Sequence, residues 1–225
     1  MVRNIYVSLT AKDINDAKAK RAEIRKFNID TFSFFPTRLE AHQRREIYDE
    51  FEIMDVKWIP LVHLRHDMTK YEIKYLWDRF GTRHFTIHED HFKNLNNWKG
   101  YYNHLYLEMN YDNYLAKEVN VKKVGGFCID LSHFKSEEER WTKEFEYVLH
   151  ERRIKREFAC NHLNGYNPYK LRDKHTVTDL HDFDYLSTLP NFVLGPIIAL
   201  EVENSIKDQL VFKKHVENMF ADSKI

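Results

Sequence analysis

Glycine is scarce: six residues in a chain of 225. No GxGxxG turn opens a helix and no P-loop occurs, which excludes nucleotide binding by either device. Cysteine is scarcer still. Cys128 and Cys160 stand alone, without finger spacing and without the numbers for a disulfide framework. Long apolar runs are missing too. No stretch reaches the roughly 18 apolar residues of a membrane span. The first residues, "MVRNIYVSLT", hold no extended apolar segment of the secretory kind. The expectation is a cytoplasmic protein without membrane contact. An excess of one charge is also lacking: 35 Lys and Arg balance 35 Asp and Glu, for a formal net charge of zero. A dedicated nucleic-acid binder is usually basic.

What is present describes a globular chain, 43% hydrophobic and 31% charged, long enough for a sizeable core. No linker, low-complexity stretch or repeat divides it, so residues 1–225 are expected to form one domain. Short β-branched or aromatic runs alternate with charged segments of helical period. The predicted strands cover 4–9, 31–35, 56–64, 84–88, 104–109, 125–130, 157–163 and 196–202. The predicted helical segments cover 11–27, 37–54, 69–80, 91–98, 113–119, 135–152, 180–189 and 205–220. In the second of these, Leu39, Ile47, Phe51 and Ile53 are expected to share an apolar side. Eight alternations point to an α/β fold, a compact (β/α)8 TIM barrel with short loops. An open doubly wound sheet is the alternative. The longest loop falls at about 163–180.

In a barrel, chemistry gathers at the C-terminal ends of the strands. Six successive predicted strands finish on His63, His88, Glu108, Asp130, His162 and Glu201. Strand parity places Ile59, Leu61 and His63 on one face, then Tyr106 and Glu108, then Gly126, Cys128 and Asp130. It does the same for Phe158, Cys160 and His162, and for Ile197, Ala199 and Glu201. One polar strand end means little, since strands end in turns. Here every one is His, Asp or Glu, the side chains that bind Zn²⁺, Mn²⁺ or Fe²⁺. His66, His91 and Glu203 are near rivals of His63, His88 and Glu201. Within "GGFCIDLSHF", His133 follows Asp130 by three residues.

These strand ends resemble those of the xylose-isomerase-like TIM barrels, which include sugar isomerases, epimerases and endonuclease IV-type AP endonucleases. "LYLEM", "FCIDLSHF", "CNHLNG" and "IIALEVEN" resemble the segments bearing that superfamily's shared ligands, implying a metal on Glu108, Asp130, His162 and Glu201. Three further segments are similar to the endonuclease IV branch: "PLVHL" with His63, "FTIHEDH" with His88, and "LRDKH" with Asp173 and His175. With His133, nine positions match that branch's multinuclear site. The glycines that follow its Asp-x-His element are missing here.

The resemblance implies a divalent metal cofactor, zinc foremost, with manganese or iron as alternatives. It implies metal-assisted hydrolysis of a phosphate ester or phosphodiester, with Glu108, Glu201 and His133 as candidate catalytic side chains. The alternative is a mononuclear sugar isomerase or epimerase using Glu108 and Glu201 as bases. A metal-binding protein without turnover is a third reading. The most basic stretch, 150–157, precedes the seventh strand and so belongs to the opposite end of the barrel. Near the mouth stand only Arg38, Arg65, Lys170 and Arg172. A small phosphorylated or sugar-like substrate is therefore expected rather than duplex DNA. Phe35, Tyr101, Tyr102, Tyr166 and Tyr169 are expected in strand-end loops, for stacking or for packing. Cys128 and Cys160 are expected as small core residues.

Overall fold

The computed structural model describes residues 3–152 and 157–222. The chain begins with β1 (Asn4–Tyr6) and β2 (Ser8–Thr10), which are one strand path interrupted at Val7. Seven further parallel strands follow: β3 (Ser33–Phe35), β4 (Leu61–His63), β5 (His84–His88), β6 (Leu105–Glu108), β7 (Gly126–Asp130), β8 (Glu157–Leu163) and β11 (Ile197–Leu200). The sheet order is β1-β11-β8-β7-β6-β5-β4-β3-β2. Its two ends are joined through the single residue Val7, whose carbonyl accepts the Ser33 N–H at 2.9 Å. The barrel expected from the sequence is thus present, and its last strand pairs with its first, Asn4 opposite Ile197. An open doubly wound sheet is ruled out by that closure.

Around the barrel lie α1 (Ile14–Lys26), α2 (Ala41–Ile53), α3 (Lys70–Phe80), α4 (Leu131–Arg140), α5 (Lys143–Arg152) and α6 (Ile206–Asp222). Local chemistry sets their ends. Asp13 caps α1 by accepting the N–H groups of Asn15 and Asp16, which satisfies donors with no partner inside the helix. Thr69 and Glu72 form a capping box on α3, and Gly81 ends that helix at φ 65°, a conformation that favours glycine. On α2, Ile47 and Phe51 are fully buried, as is Leu39 ahead of it, but Ile53 is 71% exposed. Two residues past Phe51, Ile53 is turned about 200° around the helix, so the expected shared face fails there.

Three expected helices differ. Residues 89–98 and 180–188 wind as 3-10 helices, and 113–119 forms no helix. All three segments are short, and Asn, Asp, Ser and Thr favour turns over helix interiors. Residues 135–152 break at Trp141, which takes φ 55° and donates its N–H to the Glu137 carbonyl. The expected loop at 163–180 contains an antiparallel hairpin of β9 (Gly165–Asn167) and β10 (Arg172–Lys174). Gly165 is required there, because a Cβ would stand 2.9 Å from the Val177 side chain.

The main apolar core lies between barrel and helices, and a smaller cluster fills the barrel. That inner cluster contains Phe35, Leu61, Tyr106, Cys128, Ala159, Cys160, Ile197 and Ala199. The cysteines are small core residues, as expected. Phe158 is not inside. A register shift next to Phe127 pairs Cys128 with Cys160, so β8 gains one residue and Phe158 stacks on Phe127 outside, rings 5.7 Å apart. Bulges re-phase the faces of a strand in this way. Ile59 also belongs to the outer core, because the third strand path, β4, begins only after Pro60. Of the basic stretch 150–157, residues 153–156 lie outside the described residues. Among the described residues no helix is long and apolar enough to cross a membrane.

Candidate metal centre

Parallel strands ending in register bring their last inward side chains to one level. His88 pairs with Glu108 across β5 and β6, and Asp130 with His162 across β7 and β8. Glu201 follows β11 directly, its N–H bonded to the Leu163 carbonyl at 3.0 Å. Two sets of ligand-type atoms result, each within 4.8 Å: His63, His88 and Glu108, and Glu108, Asp130, His162 and Glu201. Glu108 belongs to both.

The distances show how the carboxylate is shared. His63 Nδ1 lies 3.3 Å from Glu108 Oε2, and His88 Nδ1 lies 3.9 Å from the same oxygen. His162 Nδ1 lies 3.1 Å from Glu108 Oε1 and 3.2 Å from Glu201 Oε2. A third set adjoins them. His133 Nε2 is 3.7 Å from Asp173 Oδ1, and His175 Nε2 is 2.9 Å from Asp173 Oδ2. The β9–β10 hairpin carries Asp173 back to the mouth without the glycines of the resembling family, using Leu171 at φ 48° as its left-handed residue.

The Asp-x-x-His spacing has a structural basis. Asp130 ends β7 and also caps α4, accepting the His133 N–H at 2.9 Å. The Ser132 hydroxyl and the Asn164 amide donate to the same carboxylate at 2.8 and 2.6 Å. Its free direction faces His133 Nδ1, 3.9 Å away.

Burial sets the electrostatics. Asp130 is fully buried, and this raises its pKa. Burial also opposes ionisation of Glu108, but His162 and His88 outweigh it and hold the carboxyl well below its usual range. The reciprocal effect of Glu108 and Glu201 lifts His162 well above its ordinary value, against its own burial. His133 is lifted to about 9, burial being overcome by Asp130 and Asp173, and His175 to about 10, chiefly by Asp173 and Glu201. Asp173 is lowered by the neighbouring imidazoles of His133 and His175. His88, buried with less support, is lowered.

These residues fit a divalent cation. Nitrogen and carboxylate donors are mixed, as zinc, manganese or iron prefer. Glu108 Oε2, His88 Nδ1 and His133 Nδ1 are buried without a hydrogen-bond partner, a state that costs free energy unless something binds them. His63, His88, Glu108, Asp130, His162 and Glu201 are the residues that could hold metal in the two compact sets. His133, Asp173 and His175 flank them.

Among the rivals, Glu203 turns away to Lys12 and Arg38 at 3.2 and 3.3 Å. His91 approaches His88 only at 5.9 Å between rings and pairs with His66 at 5.6 Å. Arg65 is held by Glu40 and Asp67. Phe35 lies inside the barrel mouth, its ring 4.9 Å from that of His162. Tyr166 is buried and Tyr169 is 96% exposed. Tyr101 and Tyr102 precede β6 and so stand at the opposite end, where Tyr101 packs on Trp77.

Sequence reasoning missed Thr86. Its hydroxyl sits 2.9 Å from His63 Nδ1 and 3.2 Å from His162 Nε2. Parity with His88 carried that signal, two residues earlier on the same strand. Ser132 and Asn164 were missed because a hydroxyl and an amide bear no ligand signature.

No family pattern matches the sequence, and no curated protein matches it. Among solved structures, the crystal structure of SacUVDE superposes with a TM-score of 0.49 over 97% of this chain and 99% of that one, at 14% sequence identity.

Proposed function

We propose that the chain is a metal-dependent hydrolase of phosphate esters or phosphodiesters, with a centre of more than one cation at the barrel mouth. The observation that carries this reading is Glu108, whose carboxylate belongs to two compact ligand sets at once. One cation needs about four ligands, and the second set alone supplies four. His63 and His88 then have a purpose only beside a second ion. Paired divalent cations supply the concentrated positive charge that phosphoryl transfer to water requires.

The chain's own groups do the rest. Asp130, fixed by Ser132, His133 and Asn164, presents one defined carboxylate direction. Thr86 fixes the ring planes of His63 and His162, as supporting contacts to ligating imidazoles do. Phe35 and the inner apolar cluster close the floor and keep water out from below. His133, its Nε2 facing Asp173 at 3.7 Å and its Nδ1 open, stands where a proton can pass to a departing oxygen. Arg172 beside Asp173 offers a cation to a substrate phosphate, which suits a small phosphorylated molecule better than a long duplex.

Metal content and hydrolysis of bis(p-nitrophenyl) phosphate, measured on protein purified without chelator, test the proposal. Two or more ions per chain, with one lost and hydrolysis abolished in His63→Ala, is the expected result. One ion per chain that His63→Ala leaves in place, with no hydrolysis by the parent, would favour the isomerase or epimerase reading instead.

A further inference from the structure

A second cluster of carboxylates lies away from the barrel mouth. Glu89 opens the turn after β5, Asp112 sits in the loop after β6, and Glu144 lies in the first turn of α5. One oxygen from each lies within 4.8 Å of the others. Glu89 is 3% exposed and Glu144 fully buried, while Asp112 faces solvent.

Each buried carboxylate is only half satisfied. Glu89 Oε1 accepts the Asn110 N–H at 2.9 Å, and Glu144 Oε1 accepts the Tyr114 N–H at 3.1 Å. Their Oε2 atoms are buried with no hydrogen-bond partner. Among the described residues no lysine, arginine or histidine forms an ion pair with any of the three. The nearby Glu137 is a fourth carboxyl, also buried with an unpartnered oxygen. Other buried carboxylates with an unpartnered oxygen have a cation-forming side chain beside them, His63 and His162 at Glu108 and Lys122, 3.6 Å away, at Glu151. Burial without a countercharge pushes the Glu89 carboxyl up to about 7, the response of a carboxylate that lacks a cation.

We propose that Glu89, Asp112 and Glu144 bind a hard divalent cation, calcium in particular, distinct from the metals of the barrel mouth. The donor chemistry separates the two sites. Oxygen-only ligands select calcium or magnesium, whereas imidazole-rich sites select zinc and its neighbours. Calcium tolerates an irregular shell completed by water and backbone carbonyls, which suits an irregular loop. Magnesium demands a nearly ideal octahedron. The cation ties the loop after β6 to the start of α5. That loop bends at Tyr111 and Asn113, φ 60° and 63°, and its Tyr111 ring packs edge-on against His133 at 5.1 Å. Calcium therefore orders the segment that backs one side of the mouth.

Terbium luminescence, sensitised through the nearby tyrosines, and calcium-dependent melting of the full chain test this. The expected result is a saturable terbium signal displaced by calcium, and a melting temperature that rises several degrees with calcium by mass action. Asp112→Asn, at an exposed position, should weaken calcium binding tenfold or more while zinc content stays at the parent level. Glu144→Gln should abolish the calcium response. No response up to roughly 10 mM calcium, beyond the weakest known class of protein calcium sites, would overturn the proposal. So would a calcium response that survives Asp112→Asn and Glu144→Gln but disappears in Asp130→Ala, since calcium would then be reporting the mouth. The proposal does not depend on the hydrolase reading, and a failure of either leaves the other standing.

Discussion

Glu108 is the side chain on which the mouth turns. Its two oxygens face different imidazole partners, His63 on one and His162 on the other. Glu108→Gln keeps the shape and removes one anionic oxygen from both ligand sets, so loss of metal from both is expected. Glu203→Gln should leave metal content unchanged, because Glu203 is turned to Lys12 and Arg38. Metal analysis of the two variants checks the contrast. Thr86 sharpens it further. Thr86→Val replaces a buried hydroxyl by a methyl of similar size, freeing two imidazoles to reorient. Supporting groups of this type are worth about 10–100-fold in metal affinity, and competition with a chromophoric chelator would read that loss. At this scale the sequence was legible where the residue type itself announces ligand chemistry, as with Glu108 and Asp130. It was silent at Thr86, Ser132 and Asn164, whose roles exist only through neighbours distant in the chain.

At the scale of elements, the strands were more legible than the helices. A strand's alternation is a local property, and 84–88 and 157–163 emerge with the expected limits. The bulge at β8 was not legible, because it depends on pairing with β7. Nor was the break at Trp141, within a run whose composition favours a continuous helix. The interruption of the first strand at Val7 is another such feature, and the chain repairs it with a side chain. Gln209 of α6, fully buried, accepts the Ser8 N–H at 2.7 Å and donates to the Ser8 carbonyl at 3.1 Å. Its amide supplies both hydrogen bonds of the ladder where β1 hands over to β2. Gln209→Leu strands a buried N–H and a buried carbonyl, each costing about 1–3 kcal/mol. A loss of roughly 2–4 kcal/mol in urea unfolding is expected, with the denaturant dependence unchanged. Gln209→Glu keeps the acceptor but not the donor and should fall between leucine and the parent.

For the whole molecule, stability should form a window in pH whose edges lie at opposite ends of the barrel. At the strand-entry end, burial lowers His84 to about 4. The folded chain holds this imidazole neutral, whereas the unfolded chain protonates it below about 6.5. Its contribution is present above that value and lost as pH falls toward 4, by up to roughly 3 kcal/mol. At the mouth the sign reverses. His133 and His175 are raised to about 9 and about 10 by the carboxylates around them. Their contribution is complete below the unfolded value of about 6.5 and disappears as pH rises through 9 and 10. Metal-free protein should therefore melt highest between these limits, with a falling limb on each side. Cations at the mouth compete with those same protons, so metal-loaded protein should retain its melting temperature through the alkaline range while the acid limb stays. Melting curves from pH 4 to 10, with and without zinc, check both limbs. An alkaline limb that zinc leaves unchanged would mean that the protons on His133 and His175 do not stand in for a cation, and would confine metal to the two sets that share Glu108.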